Sequence, residues 1–351
     1  MRIYSPSAAA VALLIVFLQV MGGCDSASPP AGGTSPPGEV VVYAALDREF
    51  SGPVLDDFAK QTGIKVLPKY DIESTKTVGL TAAIIAEANR PRCDVFWNNE
   101  ILNTLRLEQK GLLEAYPSPA AASFPEMYRS PTDMWHGFAA RARVLIVNTR
   151  LVKEDERPKS IYDLANPKWK GKVGIARPIA GTTASHVACL FAALGEEKAK
   201  EFLRSLRSND IQILGGNKQV ALAAASGQIA FGLTDTDDAL IEIDRAQPVA
   251  IVYPDREEGQ LGTLFIPNTV AIIKGSPNRA AAKKLIDYLL SPTVEAKLAQ
   301  GASAQIPLNP AVETKPRVET PKTVKAMEVD FGAAAKSWDA AAKFIQEEFL
   351  R

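Results

Sequence analysis

The chain has 351 residues, 40 Lys+Arg against 40 Asp+Glu, and 46% hydrophobic residues. Equal charge counts exclude a strongly basic nucleic-acid binder or a protein held on an anionic membrane by its charge, and the apolar content is that of a globular protein with an aliphatic core. Three Cys and two His, His136 and His186, leave room for neither a disulfide scaffold nor a multi-histidine metal centre.

In chain order, Arg2 precedes an apolar run from Ala8 to Val20, followed by Met21-Gly22-Gly23-Cys24. A positive start, a short apolar stretch and small residues before a cut site predict a secretory signal peptide over residues 1–23, the run being too short for a permanent membrane helix. Cys24 directly after Gly-Gly resembles the lipobox of bacterial lipoproteins. That resemblance implies lipidation at Cys24 and a protein anchored in the periplasm or at the cell surface; an ordinary secretory signal with an incidental Cys is the alternative. Residues 24–38, rich in Ser, Pro, Gly and Ala, read as a flexible tether.

Order begins at Glu39. Val40 to Ala44 is a short apolar run, the mark of a buried strand. Phe50 to Thr62 has helical spacing, with Gly63 as its C-cap, and Ile64 to Leu67 forms a second strand. This strand-helix-strand unit is expected to be parallel and right-handed. Alternation continues with helices over 77–89 and 101–109, strands over 93–97 and 143–148, and a strand at 172–176 followed by helices over 183–194 and 197–205. Beyond them come a helix over 219–226, strands at 229–233, 248–253 and 268–274, helices over 278–290 and 293–298, and a final amphipathic helix over 331–349. Cys93 and Cys189 fall inside apolar patterns and read as buried thiols. The pattern predicts an α/β protein with two mostly parallel sheets, whose ligand site lies beyond the carboxyl ends of the strands.

Four strand ends carry polar groups: Asp47-Arg48-Glu49, Asn98-Asn99-Glu100, the turn from Arg177 to Thr183, and Thr234-Asp235-Thr236-Asp237-Asp238. The last holds three carboxylates within four residues, which need hydration, a proton, a helix N-terminus or a cation. They read either as a helix start capped by Thr236 or Asp235, or as oxygen ligands for a cation and acceptors for a solute's amino or hydroxyl groups. Gly181-Thr182-Thr183 reads equally as a Thr-capped helix start or an anion seat. Of Arg141 and Arg143, one is expected to be solvated or salt-bridged and the other to meet an anion in the cleft. Trp97 is either core or a ligand platform.

Taken together, these residues resemble the periplasmic iron(III)-binding and related solute-binding proteins of ABC importers. The resemblance runs from Val40 to the last helix, through Phe58 to Val66, Asp94 to Glu100, Arg141 to Val144, Asp163 to Lys172 and Ala271 to Asn278. It implies a bilobal periplasmic-binding-protein fold of type II, two sheets joined by hinge strands near Arg141–Val144 and Phe265–Asn268. Lobe 1 would hold residues 39–141 plus 268–305 and lobe 2 residues 142–267 plus 306–351, with the last helix on lobe 2. It also implies a monomer that delivers solute to a permease in the cytoplasmic membrane and touches that membrane only through its lipid. Iron-binding members place adjacent tyrosines opposite Thr236 and Asp237, and His or Tyr opposite Asp47 and Arg48, so the cargo stays open.

Two cargoes follow. A metal ion, iron(III) as candidate and the only bound group expected, would be held by Asp47, Glu100, Asp235 and Asp237, with Arg141, Thr182 and Thr183 holding a companion anion. A small organic or phosphorylated anion would instead engage Arg48, Arg141, Thr182 and Thr183, with Asn99, Thr236 and Asn268 completing the candidate solute contacts. An extracytoplasmic hydrolase finds little support: Gly-x-Ser-x-Gly and His-Glu-x-x-His patterns are both missing, so no enzymatic activity is expected.

Overall fold

The computed structural model describes residues 38–71 and 75–351; the expected signal peptide, Cys24 and nearly all of the tether lie outside the described residues. Strand β1 (Glu39–Ala44) is followed by α1 (Arg48–Thr62), which ends at Gly63 in the left-handed region (φ 70°), its N–H bonded to the Ala59 carbonyl. Strand β2 (Lys65–Tyr70) pairs with β1 in parallel, as does β3 (Val95–Asn98), which follows α2 (Val78–Ala86). Helix α3 (Leu102–Gln109) and the short β4 (Leu113–Glu114) complete this first half.

The strand expected over 143–148 is β5, and it runs much further, from His136 to Asn148, with every residue buried. A second half follows: β6 (Val173–Ala176), α4 (Gly181–Leu194), α5 (Glu196–Ser208), β7 (Gln212–Leu214), α6 (Asn217–Ser226), β8 (Phe231–Asp235), α7 (Thr236–Asp244) and β9 (Val249–Val252). Strand β10 (Phe265–Ile273) then returns to the first half, before α8 (Arg279–Leu289), α9 (Pro292–Gln300) and α10 (Phe331–Phe344).

Hydrogen bonding runs through the order β2-β1-β3-β10-β5-β8-β6-β7, with β4 beside β10 and β9 beside β5. The outer ladders, β1 with β2 and β3 and β6 with β7 and β8, are parallel; the ladders of β10 and β5 in the middle are antiparallel. The parallel character expected from alternating strands and helices is thus confined to the outer strands. Strands that cross between the halves must reverse direction, and β5 serves both: its first part pairs β10, its last part β8 and β9. Each half keeps a core of Val, Ile, Leu and Ala on both faces of its sheet, which is what a sheet covered by helices on two sides requires.

Helix α10 packs on α4, as expected for the second half, and reaches α3 of the first as well, where Arg106 lies 4.9 Å over the Trp338 ring. The helical run expected to 349 widens into a π-helical turn over Ile345–Phe349. Among the described residues no helix is long and apolar enough to cross a membrane. Cys93 and Cys189 are buried free thiols, and burial raises the pKa of both.

Candidate functional site

Strand β6 lies between β7 and β8 in parallel register, so their carboxyl ends finish side by side and the helices that follow start there together. Helix α4 starts after the turn Arg177–Ala180, α6 after Gly215–Gly216, and α7 directly after Asp235. None of the three has a side-chain bond from its N-cap residue. Their first-turn N–H groups, which have no carbonyl one turn earlier to bond, add partial positive charge to the same space. A cavity of about 180 Å³ lies there, lined on this side by Arg177, Gly181, Thr182, Thr183, Asn217 and Asp235. Lys76 and Asn99 of the first half close the other side.

Behind the cavity wall stands a buried polar network. Arg141 and Arg143 are two apart on β5 and therefore face the same way. Both are buried, at 2% and 0% exposure, and both are salt-bridged, so of the two alternatives expected the solvated arginine falls and the salt-bridged one holds. The Nη1 atom of Arg143 donates to Asp235 Oδ1 at 2.6 Å, to Asn217 Oδ1 at 3.1 Å and to Thr182 Oγ1 at 3.2 Å, while its Nη2 donates to Thr183 Oγ1 at 3.2 Å. On the other oxygen of Asp235, Thr182 Oγ1 donates at 2.5 Å and Asn217 Nδ2 at 2.9 Å. Arg141 Nη1 lies 2.8 Å from Asp237 Oδ2 and 3.9 Å from Asp235 Oδ2.

These contacts decide the charges. Burial pushes the Asp235 carboxyl up, but Arg143 first and then Arg141 outweigh it, so Asp235 sits below the usual carboxylate range and stays ionised. Asp237 is raised by burial, and the charge of Asp235 adds to this against the pull of Arg141, so of the two it takes a proton first. Burial works against the charge on Arg141, and the carboxylates around it, Asp237 foremost, reverse the effect and raise its pKa.

The residues singled out in the sequence separate into those gathered here and those spent elsewhere. Thr182, Thr183, Asp235, Asp237 and Arg141 come together, and Asn99 faces them across the cavity, its buried Oδ1 without a hydrogen-bond partner. Asp47 is close enough to act electrostatically on Asp237 and Arg141, and its carboxylate pairs with Lys76 at 2.8 Å. Glu100 does not join the acidic cluster. Its carboxylate accepts from the N–H groups of Leu102 (2.6 Å) and Asn103 (3.0 Å) at the start of α3, and from Ser185 Oγ at 2.7 Å. Arg48 is exposed on α1, with its guanidinium 6.0 Å over the Tyr70 ring.

Thr236 Oγ1 accepts from the Ala142 N–H at 3.2 Å and is fully buried. Asn268 donates to the Ala139 carbonyl and to Gln305 Oε1 at 2.9 Å, which makes it a fastening of the crossing strands. Trp97 has no exposed surface and packs against Phe138 with the rings tilted by 46° and their centroids 5.5 Å apart, as core. The expected side-chain caps are not used: Ala180 and Asp235 occupy the N-cap positions of α4 and α7 without such bonds, because the Thr hydroxyls and the Asp235 carboxylate serve the network instead.

Sequence reasoning missed Asn217, Lys76 and Ser185. Asn217 had a readable signal, Gly-Gly before a helix start, hidden because the three-residue β7 ahead of it is too short to show a pattern. Lys76 and Ser185 carry no local signal; only the meeting of the two halves selects them.

The sequence profile described as bacterial extracellular solute-binding protein matches residues 103–333. Iron uptake protein A1 of Synechocystis sp. is 31% identical over 317 residues, covering 85% of this chain and 86% of that protein. A putative 2-aminoethylphosphonate-binding periplasmic protein of Salmonella paratyphi A is 24% identical over 249 residues, 70% of each chain. Among solved structures, apo ferric ion-binding protein A of Pasteurella haemolytica superposes with a TM-score of 0.78 at 27% identity, over 88% of this chain and 97% of that one. The likeness to the Pasteurella structure gives this chain the type II periplasmic-binding-protein fold. The profile match and the 31% relative together establish that the chain belongs to the bacterial extracellular solute-binding family that includes the periplasmic iron(III)-binding proteins.

Proposed function

We propose that this protein captures a small phosphorylated or phosphonate solute bearing an amino or hydroxyl group and delivers it to an ABC permease. The observation that carries the reading is the convergence of the uncapped starts of α4 and α6 on one cavity, with Arg177 and Lys76 at its edge. Such a cradle of backbone N–H groups favours a compact oxyanion. Opposite it, the unpartnered Oδ1 of Asn99 asks for a donor on the same solute. The Salmonella relative named for 2-aminoethylphosphonate combines those two features in the ligand of its name.

In this reading the lobes are residues 39–141 plus 268–305 and 142–267 plus 306–351, they close on the solute, and the domain works as a monomer. It is tethered through lipid on Cys24, in the periplasm or at the cell surface. Closure gains contacts to the solute that the open form lacks, and that differential affinity shifts the hinge equilibrium.

A metal cargo is the second reading. Asp235, Asp237 and Asp238 each offer an oxygen within 4.8 Å of the others, and the Synechocystis and Pasteurella relatives are named for iron. Against it, Asp235 and Asp237 already face two buried guanidinium groups.

Native mass spectrometry of the protein purified without refolding, followed by calorimetric titration with 2-aminoethylphosphonate, fructose 6-phosphate and inorganic phosphate, tests the proposal. A co-purified phosphorus-containing mass, or saturable heat with any of the three, is expected. Silence with all three, together with tight iron(III) binding, would replace it by the metal reading.

A further inference from the structure

The buried cluster at the start of α7 carries an inference about what the site rejects. Three carboxylates, Asp235, Asp237 and Asp238, with oxygens mutually within 4.8 Å, have the spacing that a hard cation with oxygen ligands at about 2.4 Å would accept. Two of them, Asp235 and Asp237, are almost wholly buried, where ionised carboxylates require a cation. The chain supplies its own. Arg141 Nη1 lies 2.8 Å from Asp237 and 3.9 Å from Asp235, and Arg143 holds the far oxygen of Asp235 at 2.6 Å.

The two arginines are not equivalent. Arg143 is tied by its nitrogens to Thr182, Thr183 and Asn217 as well as to Asp235, so it belongs to the framework. Arg141 has no such ties. Its Nε and Nη2 are buried without a hydrogen-bond partner, and its charge is matched by the acidic cluster.

We propose that Arg141 is a resident counter-ion standing in for a metal, and that it is the residue which makes this member of the family select against metal cations. A cation entering the cluster would meet a fixed positive charge already bonded to Asp237, in a dry environment where like charges repel strongly. Removing that charge while keeping the carboxylates leaves a ligand set with a negative surplus, which a metal would neutralise. The inference deepens the anion reading and rests on it for the identity of the cargo; its own content is the exclusion of metal.

The test uses the full mature chain and measures thermal stabilisation by Ca²⁺, Mn²⁺ and Fe³⁺, the last supplied as its nitrilotriacetate complex with nitrilotriacetate alone as blank. Wild type is expected to show no shift with any of them. Arg141→Ala is expected to bind at least one cation about tenfold or more tightly than wild type. Arg141→Lys, which keeps a point charge at the same place, is expected to gain nothing. Should Arg141→Ala fail to fold alone, recovery of its helical ellipticity on adding one of these cations, with Arg141→Lys folded without them, supports the proposal equally.

Micromolar binding of any of the cations by wild type overturns it. So does a folded Arg141→Ala that binds them no better than wild type, or an unfolded one that no cation rescues. Phosphate-bearing probes are titrated in a separate series on wild type. Their failure sinks the anion reading and leaves the metal result standing.

Discussion

Arg143 shows how one side chain can set the order of a whole site. It has no exposed surface, and its ion pair with Asp235 at 2.6 Å is surrounded by Thr182, Thr183 and Asn217. Replacing it by Met removes the strongest partner of a buried, ionised carboxylate and takes one hydrogen bond each from Thr182, Thr183 and Asn217, which keep their bonds to one another and to Asp235. The expected cost is about 4 kcal/mol of unfolding free energy, in the range for breaking a buried pair from one side, read from urea denaturation. The double change Arg143→Met with Asp235→Asn removes both charges and is expected to recover part of that loss. His186, one turn into α4, adds a pH dependence. Burial first and the neighbouring Arg143 second pull its pKa down to about 3, with Asp235 opposing, so the imidazole is neutral in the fold. In the unfolded chain it protonates near 6.5. The unfolded state therefore binds the extra proton as pH falls below about 6.5, and stability is lost between that pH and about 3, at up to about 1.4 kcal/mol per pH unit. His186→Leu is expected to flatten the difference curve over that window in urea titrations at successive pH values. A curve parallel to that of wild type would show that His186 is not held neutral.

Strand β8 is the element on which the site turns, because it ends in Asp235 and sits between β5 and β6. Gly232 lets it lie so close: a Cβ there would stand 2.7 Å from the Gly174 carbonyl oxygen and 2.5 Å from Val220 Cγ1. Backbone cannot yield as a side chain can, so Gly232→Ala is expected to push β8 off β6 at a cost of about 1–3 kcal/mol. The shift would carry Asp235 away from Arg143, so solute affinity is expected to fall together with the melting temperature. Unchanged affinity at lower stability would mean that the site tolerates movement of this strand. The pattern of alternating apolar strands and periodic helices made most elements legible, since β3, β6 and β8 are buried on both faces and β1 nearly so, which gives each a continuous apolar run. The rest were hidden for physical reasons. The first part of β5, Gly137-Phe138-Ala139-Ala140, has weak strand propensity, carries Ala139 at φ 45° beside a register shift against β10, and stays in the sheet because β10 and the Ile306 segment hold it. The acidic turn was legible as a charge cluster, while its partner Arg143, 92 residues away from Asp235, became visible only with the sheet register. Glu100 looked like a ligand because a carboxylate after a strand has that appearance; the helix start beside it was the stronger claimant.

Across the whole molecule, the two halves meet on either side of the cavity through few polar contacts. The Gly181 N–H donates to the Lys76 carbonyl at 3.1 Å, and Ser185 Oγ donates to Glu100 Oε2 at 2.7 Å. Both contacts come from the first five residues of α4, the helix whose start forms the cradle, so holding solute and holding the halves together share one element. Behind them β5 is fastened to the segment after α9 by Glu295, whose carboxylate accepts from the N–H groups of Ala139 at 2.6 Å and Asn309 at 2.6 Å. That leaves the Glu100–Ser185 bond as a contact whose loss alters closure and little else. Glu100 keeps its bonds to Leu102, Asn103 and Asn98, so Ser185→Ala strands no buried charge and the fold is expected to hold its stability within about 1 kcal/mol. A hydrogen bond to a charged acceptor contributes about 1.5 kcal/mol or more. If it exists only when the halves are together, its removal lowers the closed population about tenfold relative to the open one, and solute affinity with it. Small-angle scattering should then give a larger radius of gyration for the solute-free variant than for solute-free wild type, with the two converging at saturating solute. Ser205→Ala on the outer helix α5, whose hydroxyl bonds only the Phe202 carbonyl of its own helix, is expected to change neither quantity. If Ser185→Ala matches wild type in both radius and affinity, the Glu100 carboxylate is a helix cap that happens to touch α4, and closure must be held by the solute and the backbone contact at Gly181.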